Sequence, residues 1–182
     1  MLLDQLNTAQ LISKCRKRNK SAQLEIYNRY YKTMYNTSFR IVKDSHEAED
    51  IMQESFLKAF TKLASLQDDE LFGAWLKKIV INMSLSAAKK NSAFKEIDLE
   101  TITLEKEAII VDDTTDQMTL TKSNIMKSLL LLKDNYSTIL SLHYIEGYDY
   151  EEICQVMNIS YSNCRTLISR AKESLRKKIE LI

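Results

Sequence analysis

Between residues 21 and 42, Ile26, Tyr27, Tyr30, Met34, Tyr35 and Phe39 return mostly every three to five positions, a spacing that predicts a helix with a broad apolar face. The next run is cleaner. Ala48, Ile51, Met52, Ser55, Phe56, Ala59, Phe60 and Leu63 fall at i, i+3, i+4 and i+7, so a second helix is expected there, capped by Asp44 or Ser45. The polar stretch Gln67-Asp68-Asp69-Glu70 interrupts the period. Phe72, Leu76, Ile79, Val80, Met83 and Ala87 then resume it, predicting a third long helix that ends near Lys90.

Residues 91–120 lose the period and gather Asp, Glu and Thr, which is the pattern of a linker, although Ile109-Ile110-Val111 could pack locally. From Thr121 the runs SNIMKSLLLL and YSTILSLHYIEG read as two further helices, the second closing at Gly147. The most informative segment is DYEEICQVMNISYSNCRTLISRAKESLRKKIE at 149–180. It divides at Asn158-Ile159-Ser160 into a short helix and a long one, as a helix-turn-helix does. Ile153, Val156 and Met157 supply the apolar face of the short helix, Asn158 suits a positive-φ turn, and Ile159 can plug the angle. Along the long helix Cys164, Ile168, Ala171, Leu175 and Ile179 form an apolar stripe. Arg165, Ser169, Lys172 and Arg176 project away from it, a basic and hydroxylic face suited to the major groove of DNA.

Composition narrows the class to all-α. The chain has 182 residues, 45% of them hydrophobic, with no Pro and two Gly, too little punctuation for hairpins. No window is apolar enough to span a bilayer, and the start MLLDQLNTAQ lacks the pattern of a secretion signal, so a cytoplasmic protein is expected. Cys15, Cys154 and Cys164 have no metal-type spacing and are expected to be reduced and structural. His46 and His143 stand without partner ligands, so no metal and no cofactor are assigned, each His being a capping or packed residue. Neither a phosphate loop nor a nucleophile elbow is present, and the protein is expected not to be an enzyme.

The net charge of +1 conceals a division. Residues 1–90 carry 15 Lys and Arg against 10 Asp and Glu, residues 91–120 carry 2 against 8, and residues 121–182 carry 9 against 7. Two small basic helical domains, 1–90 and 121–182, therefore flank an acidic linker. Two simpler functions fit a helix-turn-helix of this kind. One is a stand-alone transcriptional regulator that binds duplex DNA as a dimer, for which an acidic stripe at 47–54 and a second basic domain would be superfluous. The other is a helical adaptor that binds only proteins, which salt-sensitive retention on heparin would exclude.

Three passages, HEAEDIMQESFLKAF at 46–60, FGAWLKKIVINM at 72–83 and YEEICQVMNISYSNCRTLISRAKESLRKKI at 150–179, stand in an order and spacing that resembles the extracytoplasmic-function (ECF) sigma factors of bacterial RNA polymerase. The resemblance covers almost the whole chain and implies a region 2 helical bundle, a flexible acidic linker and a region 4 helix-turn-helix. The first passage resembles the part of region 2 that engages the beta-prime clamp helices, which implies polymerase contacts at Glu47, Asp50, Gln53 and Glu54; Glu47, Asp50 and Glu54 also share one helix face. The second resembles the part that holds the minus-10 element as an unstacked strand. Asn82 matches a base-contacting position, with Ser86 as a further minus-10 contact and Lys77, Lys78, Lys89 and Lys90 for phosphate neutralisation. Trp75 lies at the edge of the apolar stripe and is assigned to packing.

The third passage resembles the minus-35 reader, which implies duplex contacts at Arg165, Thr166, Ser169, Arg170, Lys172 and Arg176. Partners implied by the resemblance are core polymerase through its beta-prime clamp helices and beta flap, promoter DNA, and an anti-sigma factor of the kind often anchored in the membrane. The chain departs from the family pattern in its acidic loop at 66–70, in Asn158 where a turn Gly is usual, in Asn163-Cys164 for a common Thr-Val pair, and in Leu167 for a frequent Arg.

Overall fold

Asn7, Asn19 and Asp44 start three helices by one device, a short side-chain oxygen that accepts a free amide of the first turn. Asn7 accepts from the Gln10 amide at 2.8 Å while Gln10 reaches back to the Asn7 amide at 3.1 Å, opening α1 (Thr8–Arg16). Asn19 accepts from Ala22 at 2.9 Å to open α2 (Lys20–Val42). Asp44, one of the two expected caps, accepts from Glu47 at 2.8 Å to open α3 (Ser45–Thr61). Two single 3-10 turns follow, at Leu63–Ser65 and Asp69–Leu71, before α4 (Phe72–Lys95). The computed structural model describes residues 3–95 and 117–180, and the linker apolar residues 109–111 lie outside them.

The first unit, Met1–Leu99, is built around α2. Ile26 and Met34 of that helix meet Leu11 and Ile12 of α1, Met52 and Phe56 of α3, and Phe72, Leu76 and Val80 of α4 in one buried cluster. Each of these large side chains contributes about 1.5–3 kcal/mol through removal from water. Trp75 packs against the same cluster, its ring 6.0 Å from that of Phe72, in agreement with a packing role. Gly73 permits the close approach of α4 to α2, since a Cβ there would stand 2.8 Å from the Tyr30 ring. Helix α4 runs on to Lys95, beyond the end expected at Lys90. The apolar period fades before the helix does, and past it Asn91 ties α4 to α3 by donating to both carboxylate oxygens of Glu47 at 2.9 and 3.0 Å.

The second unit, Glu100–Ile182, holds α5 (Gln117–Leu130), α6 (Asp134–Leu140), a π turn at Ser141–Ile145, α7 (Tyr150–Met157) and α8 (Tyr161–Ile179). The π turn was not expected from the sequence. It leads through Gly147, φ +78°, into α7, which Asp149 and Glu152 open with a reciprocal cap at 2.8 and 3.1 Å. His143 is a packed residue, donating from Nδ1 to the Tyr148 carbonyl at 2.9 Å and stacking on Tyr150. Its core joins Leu129, Leu132, Ile139, Leu140, Leu142 and Ile153 to Cys164, Ile168 and Ala171 of α8. Among the described residues no helix is long and apolar enough to cross a membrane.

Candidate nucleic-acid interface

Asn158 takes the left-handed conformation, φ +55°, between α7 and α8, as the sequence pattern requires of the turn. Ser160 then caps α8 by accepting from the Asn163 amide at 3.3 Å. Burial of Cys164, Ile168 and Ala171 orients the helix, so Arg165, Thr166, Ser169, Arg170, Lys172 and Arg176 are all exposed. The run from Arg165 to Arg176 extends about 16 Å along the axis, a length that fits within a major groove. The Thr166 hydroxyl donates to the Ser162 carbonyl at 2.9 Å, which leaves its lone pairs free to accept from a base amino group. The first turn also exposes Tyr161, Ser162 and Asn163. Sequence reasoning passed over them, although the N-terminal turn of a recognition helix commonly touches base edges; the Ser160 cap was the signal that could have located it.

On α4 the strip Lys78, Asn82, Ser86, Lys89 and Lys90 is exposed at intervals of three and four. Ser86 donates to the Asn82 carbonyl at 2.8 Å, while Lys77 sits to one side and is half-buried. On α3 the expected acidic face divides. Asp50, Gln53 and Glu54 are exposed, whereas Glu47 is half-buried and held by Asn91 of α4. Gln53 donates to Glu49 at 3.1 Å, which adds a fourth carboxylate to that face. His46 is exposed in the first turn of α3, and the cap is Asp44.

No site on these faces holds a cluster of three or more metal-ligating side chains among the described residues. The three cysteines are free thiols, and burial pushes Cys15 and Cys164 each up to about 11, Cys154 adding to the second. Both stay protonated at neutral pH, which suits packing and not nucleophilic chemistry.

Helical units of this kind, one with a lysine-lined strip and one ending in a helix-turn-helix, define a two-part nucleic-acid-engaging class, and comparison with known proteins gives the family. The model for Sigma-70 region 2 matches residues 26–94, and that for Sigma-70, region 4 matches residues 122–175. The ECF RNA polymerase sigma factor SigW of Bacillus subtilis is 28% identical over 177 residues, covering 92% of this chain and 94% of the relative. SigM of the same organism is 29% identical over 153 residues, covering 84% and 91%. In fold the chain is similar to the sigma factor RpoE of Bartonella quintana, solved with the anti-sigma factor NepR, at a TM-score of 0.57 and 18% identity, covering 86% of this chain and 95% of that one. It is also similar to CnrH, solved with the cytosolic domain of CnrY, at 0.53 and 19%, covering 96% and 97%. The chain belongs to the sigma-70 family, as a sigma factor of the ECF type.

Proposed function

We propose that the protein binds core RNA polymerase and directs transcription initiation at promoters through separate minus-10 and minus-35 contacts. The observation that carries this reading is the presence of both sigma regions in one chain, each with a helix whose exposed face is cationic. Asp50, Gln53 and Glu54, with Glu47 braced against α4, present the acidic face of α3 to a basic surface of the polymerase clamp. The strip on α4 holds the opened minus-10 strand, Asn82 reading a base while Lys77, Lys78, Lys89 and Lys90 neutralise phosphates. The exposed face of α8, from Arg165 to Arg176, reads the minus-35 duplex. On this reading the residues between α4 and α5 are a connector, the polymerase supplies all catalysis, and the protein works in the cytoplasm under the control of an anti-sigma factor.

Transcription from genomic fragments by sigma-free bacterial core polymerase, with and without this protein, tests the reading. New discrete start sites are expected only when it is added. Asp50→Ala with Glu54→Ala should abolish them by weakening core binding while leaving minus-35 duplex affinity intact. Duplex binding without any new transcript from a competent core would favour a stand-alone regulator.

A further inference from the structure

The loop between α3 and α4 runs from residue 62 to residue 71 and exposes Gln67, Asp68, Glu70 and Leu71, the last at 58%. Leu63 and Leu66 anchor one end in the core and Phe72 the other. Its shape between those anchors is set from outside by Arg16, in the last turn of α1. Nη1 of Arg16 donates to the Leu63 carbonyl at 2.6 Å, and Nη2 donates to the Leu66 carbonyl at 3.0 Å and to the Asp69 carboxylate at 2.6 Å. One planar guanidinium thus joins both 3-10 turns of the loop. Arg16 lies before residue 26, where the match to region 2 begins.

We infer that Arg16 is a positioning residue for minus-10 selectivity, holding the loop that leads into α4 in the one conformation that presents a base-reading edge to the strand. This rests on the reading of α4 as the minus-10 surface. Two physical effects support it. The fork geometry of Arg satisfies three acceptors in fixed directions, which a Lys ammonium on a flexible stem cannot do. The loop also concentrates Asp68, Asp69 and Glu70 at the start of the helix that carries the lysine strip, and pairing with Arg16 offsets one of those three charges. The Arg16 and Asp69 side chains are 33% and 25% exposed, so the pair itself adds little stability; the two carbonyl bonds give the contact its direction. Asp68 and Glu70 stay exposed, and carboxylates accept from the exocyclic amino groups of cytosine and adenine.

The test uses the full chain in holoenzyme with bacterial core polymerase, presented with a single-stranded oligonucleotide pool whose minus-10 window is randomised. Wild type is expected to enrich particular windows. Arg16→Ala and Arg16→Lys should each reduce the preference for the best window over its single-base variants by about fivefold, the size of one net hydrogen bond. Core affinity and thermal midpoint should stay near wild type, and Asp69→Asn should keep most of the preference, because the carbonyl bonds remain. Equal preference in Arg16→Ala and wild type would overturn the inference while leaving the promoter reading intact. So would a loss of core affinity in step with selectivity, which marks a merely structural role. A wild-type holoenzyme without any preference removes the minus-10 reading itself, and this inference with it.

Discussion

Helices α4 and α8 each bury one face and offer a cationic one to solvent, yet only that of α8 adds Arg to Lys. The exposed strip of α4 carries Lys78, Lys89 and Lys90 with Asn82 and Ser86 between them and no Arg at all. That of α8 carries Arg165, Arg170 and Arg176 together with Lys172, Thr166 and Ser169. A Lys ammonium is a hydrated point charge that follows a phosphate wherever it lies, whereas the Arg fork matches the paired acceptors on the edge of guanine. On the proposed reading the difference matches two states of DNA, a mobile single strand on α4 and a rigid duplex on α8. Their surroundings differ too. Beside α4 stand the acidic face of α3 and the acidic loop, while on α8 the carboxylate of Glu173 is paired with Lys177 at 2.9 Å.

The sharpest way to break that comparison is to exchange the cations. Arg165→Ala should weaken minus-35 duplex binding by about 1–3 kcal/mol and relax specificity at one base pair. Arg165→Lys should recover little of it, because the bidentate geometry is gone. Lys78→Arg on α4 should leave single-strand affinity near wild type, as only charge is needed there. Fluorescence anisotropy with duplex and single-stranded probes checks both, and a fully restored Arg165→Lys would mean that α8 too is only an electrostatic surface.

Salt dependence separates the surfaces more gently. Each phosphate contact contributes roughly 0.9 to the slope of log affinity against log salt on a duplex and roughly 0.7 on a single strand. Arg176→Ala, about three turns from Arg165 at the start of the recognition face, should lower the duplex slope by about one contact without changing which sequence is preferred. Lys90→Ala should do the same for the single strand. A changed preference in either variant would give that residue a base-reading role.

Much of this arrangement was legible in the sequence where burial imposes a period. The stripes through Ala48 to Leu63 and Cys164 to Ile179 oriented α3 and α8, and with them the residues expected on their outer faces except Glu47. What was hidden lies where contacts join distant positions. Helix α1 is too short to establish a period, although Asn7 and Gln10 spell a capping box, and nothing near Arg16 in sequence discloses acceptors at 63, 66 and 69. Glu47 likewise had the spacing of an exposed residue until Asn91, forty-four positions away, turned its carboxylate towards α4.

The smallest expected effect compares how the two units end their helices. Arg18, after α1, and Asn158, after α7, both hold left-handed backbone, at φ +60° and +55°. A side chain with a Cβ is strained there by about 1–2 kcal/mol, less for Asn, whose short polar group tolerates the conformation. Glycine relieves the strain but loses more entropy on folding, about 0.5–1 kcal/mol. The two terms leave Arg18→Gly stabilising by up to about 1.5 kcal/mol and Asn158→Gly near zero, measured as shifts in urea midpoint. Equal gains at both sites would mean that Asn158 is as strained as Arg18. The turn Asn would then carry a cost that its position in the helix-turn-helix, next to the duplex-reading helix, would have to explain.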